Sequence, residues 1–160
     1  YGGTALFHMP GITPEAERYN PPEESLQIKQ ADLEAAVQSM NDAGAEEVDF
    51  LSLGCPHLSI KEIARIAEIL EGKQVQREFW ITTSRPTKHI ADMMGYASII
   101  EESGAKFAVD TCCVVAPIKG RFGALATDSA KACYYAYAKN NFKTRCLPFD
   151  QVVLEAIRDE

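Results

Sequence analysis

The chain has 160 residues, enough for one domain with a proper core. Apolar residues make up 46% and charged ones 24%, a globular rather than a disordered composition. A formal charge of −7 argues against nucleic acid as a partner, because that role needs a basic face. No apolar run reaches the roughly 18 residues of a membrane span, so the chain reads as soluble, with no membrane partner.

The opening stretch, YGGTALFHMPGITPEA, has no basic segment followed by an apolar one and does not read as a signal peptide. It carries no initiator methionine, and strand-like TALFHM (4–9) begins almost at once, as in a chain cut from something longer. A connection dense in proline follows, through Pro10, Pro14, Pro21 and Pro22. Leu33, Ala36, Val37 and Met40 at helical spacing predict a helix over 30–43, with Gly44 as its stop. EVDFLSLG predicts a strand, and Ser59 with Glu62 three residues on predicts a capped helix over 60–70.

EFWITTS (78–84) is the next predicted strand, and Arg85-Pro86 opens a helix to Met94, followed by a helical piece over 97–103. KFAVDTCCVV (106–115) and GALATDS (123–129) read as strands, then a helix over 130–139, FKTRCLP as a strand and FDQVVLEAIRDE as the last helix. This alternation predicts an α/β fold: one domain over 1–160, three layers, a parallel or mostly parallel sheet with helices on both faces.

In such sheets ligands bind outside the carboxyl ends of the strands. The loops expected there are GCPH, TTSRP, DTCC and TDSAK. Gly54 and Pro56 bend the first, and His57 stands near a helix N-terminus whose dipole disfavours the imidazolium. Such a ring can ligate a metal, polarise a carbonyl or bond a carboxylate; the plainer alternative is a turn followed by a cap. Thr83, Ser84 and Arg85 suit a carboxylate or phosphate, although Ser84 also reads as an ordinary N-cap. Strand alternation puts Asp110 and Cys112 on one side and Thr111 and Cys113 on the other. Asp128, Ser129 and Lys131 stand where another helix begins, as anion binders or simply as its cap.

Five cysteines (Cys55, Cys112, Cys113, Cys133 and Cys146) with no CxxC and no secretory signal read as free thiols in a reducing, cytoplasmic compartment. Most would pack as small hydrophobes. Neither GxGxxG, GxxxxGK(S/T) nor GxSxG appears, SAK at 129–131 does not have the SxxK spacing of β-lactamases, and no zinc-type ligand spacing is present.

Taken together, ALFHMPGITPEA, LGCPHLSIKEIARIAEILEGK, TTSR, GAKFAVDTCCVVAP and ATDSAKACYYA resemble the large subunit of the aconitase X family, in order and spacing along nearly the whole chain. The resemblance implies an iron-dependent dehydratase acting on a small anionic hydroxy acid, such as cis-3-hydroxy-L-proline or 5-phosphomevalonate. It implies an iron or iron–sulfur cofactor, with Cys112 as a metal ligand, and a small swivelling domain or subunit as partner. Cys55 is a weaker ligand candidate, since the family varies between serine and cysteine there. His57, Ser129 and Lys131 would be catalytic, and Thr83, Ser84 and Arg85 substrate-binding. The chain departs from the family in lacking the portion that precedes ALFH and in carrying Val152 about where a cysteine is usual. It would thus be the C-terminal part of a longer large subunit, inactive alone. The rival expectation is a non-catalytic small-anion-binding domain with structural cysteines.

Overall fold

The computed structural model describes residues 6–158 and divides into two units, one up to Glu34 and one from Ala35 onward. In the first unit no strand forms over 6–9, and residues 4 and 5 of the predicted strand lie outside the described residues. The chain turns at once instead, the Met9 carbonyl accepting the amides of Ile12 and Thr13. A short 3₁₀ turn follows at Ala16–Arg18, and His8 stacks on Tyr19 with ring centroids 4.6 Å apart.

Helix α1 (Gln30–Ser39) ends four residues before its predicted limit. Asn41 turns its side-chain amide back to the Val37 carbonyl at 2.8 Å. Asp42 and Ala43 then leave the helix to bond Thr144. Backbone pairing with a strand outweighs another helical turn here.

The second unit is built on five parallel strands: β1 (Phe50–Leu53), β2 (Glu78–Thr83), β3 (Lys106–Val109), β4 (Ala124–Thr127) and β5 (Lys143–Cys146). Their order is β3-β2-β1-β4-β5. The central strands β1 and β4 are buried at every position, as expected where both faces of a parallel sheet are covered. Leu51, Leu53, Phe79 and Ile81 point to one face, beneath α2 (Ile60–Leu70), α3 (Arg85–Met93), α4 (Tyr96–Glu102) and α6 (Phe149–Ala156). Phe50, Trp80 and Leu125 point to the other, beneath α5 (Ala130–Tyr135) and the loop after β3. The expected layered α/β architecture is therefore the one observed.

Helix α2 shows why these elements form. Ser59 receives the Glu62 amide while the Glu62 carboxylate receives the Ser59 amide at 2.8 Å, closing a capping box. Ile63, Ile66, Ala67 and Leu70 fall on one stripe and are buried, each large side chain contributing about 1.5–3 kcal/mol relative to exposure.

Strand β3 and helix α5 also end well short of what the sequence pattern suggests. Strand β3 stops at Val109 because Asp110 takes a left-handed conformation, φ 57°, and 110–118 becomes a loop wrapped around the Cys112 carbonyl. The helix expected over 130–139 keeps α geometry only to Tyr135, then widens into a π turn, Ala136–Asn140, closed by left-handed Asn141. In that turn buried Asn140 reaches the Cys113 carbonyl at 3.5 Å.

The strand order fixes where a ligand can go. Chain progression runs outward from β1 through β2 to β3, then returns past both to start β4 on the far side of β1. The switch point lies between the carboxyl ends of β1 and β4, beside the Cys55–His57 and Asp128–Ser129 loops.

Candidate active site

Gly54 begins the first rim loop in a conformation that few other residues adopt, φ 114°. A side chain there would meet the Thr82 carbonyl oxygen at 2.1 Å, so glycine is what lets β1 and β2 stay close at the rim. The Cys55–Pro56 peptide is cis, and Leu58 returns to donate its amide to the Thr82 carbonyl at 3.0 Å. Between these anchors the loop projects Cys55, half-buried, and His57, exposed.

His57 Nε2 lies 2.9 Å from the carbonyl oxygen of Thr111, on the loop after β3. A carbonyl only accepts, so Nε2 carries the hydrogen and Nδ1 keeps its lone pair in the neutral ring. That contact draws the Cys55–His57 and Asp110–Cys112 loops together over the end of β2.

Arg85 completes the same corner. Its backbone amide donates to Asp110 Oδ1 at 2.9 Å, and Nε donates to Oδ2 at 3.0 Å. Its terminal nitrogen also stands 2.9 Å from Oδ2. The backbone amide of Arg85, its guanidinium and the nearby His57 hold the Asp110 carboxyl below the usual carboxylate range. The Arg85 side chain is nevertheless 82% exposed, so it stays accessible to an anion.

The other predicted residues have more divided roles. Ser84 caps α3, accepting the Thr87 amide at 3.4 Å, and Ser129 caps α5, accepting the Ala132 amide at 3.2 Å. Thr83 is fully buried and donates its hydroxyl to the Leu58 carbonyl at 2.7 Å, so it anchors the first loop from the opposite face. Lys131 is exposed at the start of α5. The neighbouring Asp128 carboxyl is pushed up, first by burial of its head group and then by repulsion from the charge of Glu62, in the first turn of α2.

The thiols form a graded series beneath the rim. Cys112 and Cys55 are half-buried and near enough to Cys113 to influence its ionisation. Cys113 is buried against Ser52, and burial pushes its thiol up to about 12. Cys133, buried on α5 with its thiol toward Cys146, is likewise pushed up to about 12 by burial. The split between Cys112 and Cys113 thus arises from a loop rather than from the strand alternation expected. No group of three His, Cys, Asp or Glu side chains among the described residues stands ready to hold a metal ion. No helix among them is long and apolar enough to cross a membrane.

The sequence pattern missed two elements of this site. The grip of Arg85 on Asp110 joins residues 25 apart, just beyond the carboxyl ends of adjacent strands, and the parallel pairing of β2 with β3 brings them together. The contact with His57 comes from the Thr111 backbone, which no side-chain motif can reveal.

Comparison with known proteins shows what the chain is similar to. The aconitase X third domain matches residues 48–158. The phosphomevalonate dehydratase large subunit of Thermococcus kodakarensis is 37% identical over 158 residues, covering 97% of this chain and 40% of that protein. The cis-3-hydroxy-L-proline dehydratase of Pseudomonas aeruginosa is 32% identical over 142 residues, covering 82% of this chain and 24% of that protein. The crystal structure of Thermococcus kodakaraensis aconitase X in its holo-form superimposes with a TM-score of 0.78 at 36% identity, covering 91% of this chain and 38% of that one. The chain thus spans two fifths or less of the length of these relatives. With the profile, the relatives and the solved structure in agreement, the chain belongs to the aconitase X family.

Proposed function

We propose that this domain supplies part of the active site of an iron-dependent dehydratase, a hydro-lyase, acting on a small anionic β-hydroxy acid. The observation that carries the reading is the convergence at one corner of His57, Arg85, Asp110, Cys55 and Cys112, drawn together by the bonds from His57 to Thr111 and from Arg85 to Asp110. Loss of water from a β-hydroxy acid needs a base for the proton next to the carboxylate and a hold on the anionic end. His57 Nδ1 is free to take a proton, since Nε2 is committed to Thr111. Arg85 and Lys131, both exposed, are the cations for the anionic groups. Ser129 accepts a backbone amide but keeps its own hydroxyl hydrogen for a substrate oxygen.

The donor chemistry of the rim suits iron or an iron–sulfur cluster, because thiolates are the ligands such centres take. Cys112 and Cys55 would hold it, and a full ligand set needs donors beyond this pair. When bound, iron supplies Lewis acidity toward the departing hydroxyl. The remaining donors would come from elsewhere in a longer large subunit, and a small swivelling domain or subunit would close over the substrate. A cytoplasmic, reducing setting would keep the thiols free.

Of the two substrates, 5-phosphomevalonate is favoured. Four phosphomevalonate dehydratase large subunits are 36% to 40% identical to this chain and a fifth is 30% identical, against 32% and 30% for two cis-3-hydroxy-L-proline dehydratases. The test is turnover of each compound by the full-length protein, purified anaerobically with its small partner. Dehydration of 5-phosphomevalonate is expected. A full-length, iron-free protein inert to both compounds would leave the non-catalytic anion-binding domain as the correct reading.

A further inference from the structure

Thr82 is fully buried, yet its hydroxyl oxygen has no hydrogen-bond partner. Its backbone is satisfied, with the carbonyl accepting the Leu58 amide at 3.0 Å. Proteins rarely bury a hydroxyl with nothing to bond, because the group has given up water and gained no replacement. Valine would fill the same volume without that cost. A lone unsatisfied hydroxyl beneath a ligand rim therefore calls for a ligand.

The register says where the hydroxyl sits. Phe79 and Ile81 belong to the core under α2 and α4, whereas Trp80 packs in the second core, with Cys55, Cys112 and Cys113. Side chains alternate along a strand, so Thr82 follows Trp80 onto the face that carries these cysteines. On one side of it β1 runs into Gly54, where an added Cβ would fall 2.7 Å from that of Thr82. On the other side, across β3, stands Ala108. Both flanking positions are small.

The two loops that bear the half-buried thiols are anchored at this point of β2. Leu58, after Cys55, bonds the Thr82 carbonyl, and Asp110, before Cys112, bonds the Thr83 carbonyl at 3.0 Å. On the same face Ser52 lies against the Cys113 thiol and the Thr127 hydroxyl accepts the Ser129 amide at 3.4 Å, whereas the Thr82 hydroxyl, on the strand that anchors the Cys55 and Cys112 loops, has no partner.

We propose that Thr82 is a positioning residue for the metal centre, its hydroxyl donating to a thiolate sulfur of the Cys55–Cys112 pair when that pair holds iron. The proposal rests on the dehydratase reading above. An O–H···S bond withdraws charge from the sulfur and favours the reduced centre, so it raises the reduction potential. It also holds the ligand in place, a role whose loss costs on the order of 10-fold in metal affinity.

The test uses the full-length protein reconstituted anaerobically with ferrous iron and compares Thr82→Val and Thr82→Ser with wild type. Iron affinity, midpoint potential and the thiolate-to-iron absorption band are read, together with the melting temperature of the iron-free form. Thr82→Val is expected to melt no lower than wild type when iron-free, because it removes an unsatisfied polar group. It should bind iron about 10-fold more weakly, with a lower midpoint potential and a displaced band. Thr82→Ser should restore all three. A Thr82→Val protein with wild-type affinity, potential and absorption overturns the role and leaves a hydroxyl that serves only a buried water. A wild-type protein that takes up no iron overturns the dehydratase reading and this role together, which separates the two failures.

Discussion

The Arg85 backbone amide donates to Asp110 Oδ1 at 2.9 Å, while its guanidinium Nε donates to Oδ2 of the same carboxylate at 3.0 Å. One aspartate, held in a left-handed conformation at the end of β3, thereby locks the start of α3 to the loop that carries Cys112. The lock is electrostatic, so it depends on pH. Because these contacts depress the folded-state value of Asp110, its stabilising contribution is complete above the ordinary aspartate range, roughly pH 4. It is lost as pH falls through the depressed value. Asp110→Asn should therefore melt below wild type at neutral pH, with the gap closing as pH drops well below 4. Melting curves of both proteins from pH 7 to pH 2 check this; a constant gap would show that the carboxylate charge contributes nothing.

Gly54 is the position where the rim tolerates no side chain. An alanine Cβ would sit 2.1 Å from the Thr82 carbonyl, and the backbone conformation is itself unfavourable for alanine. Gly54→Ala should cost about 2–4 kcal/mol of unfolding free energy, read from urea denaturation. A cost within about 0.5 kcal/mol, the range of an ordinary surface change, would mean that β1 and β2 can separate at the rim freely.

The thiols should divide by accessibility. Cys113 and Cys133 are buried with their thiols pushed up to about 12, so neither should react with iodoacetamide at pH 8 in the folded protein. Cys55 and Cys112, half-buried at the rim, should alkylate first in metal-free protein. Peptide mass spectrometry after timed quenching gives the order. Early labelling of Cys113 would place it at the rim and upset the proposed division between ligand and packing thiols.

Much of this was legible in the residues, and the failures have identifiable causes. Helix α2 was readable to the residue because its capping box and apolar stripe are local features. The limits of β1, β2, β4 and β5 fell within a few residues for the same reason. Strand β3 was read too long because VDTCCVV has strand-like composition, whereas Asp110 leaves the extended region to meet Arg85, a residue distant in sequence. Residues 40–43 continue a helical spacing but gain more by bonding Thr144. The predicted strand over 4–9 has no partner at its described residues. At the rim, residue types pointed to loops that the fold does place at the carboxyl ends of the strands. Their division of labour, with Thr83 turned inward and the Thr111 carbonyl facing His57, depends on the sheet register and is invisible in a linear pattern.

The central claim is that the rim delivers His57 to a substrate, and kcat of His57→Ala in the full-length protein tests it most directly. The side chain is exposed and its hydrogen bond is with a backbone carbonyl, so the variant should melt within a few degrees of wild type. Its kcat for 5-phosphomevalonate dehydration should fall by about 100-fold or more, the effect of losing an acid–base group. A variant that keeps wild-type kcat per folded molecule while melting much lower would contradict the account, and would make His57 a strut between two loops.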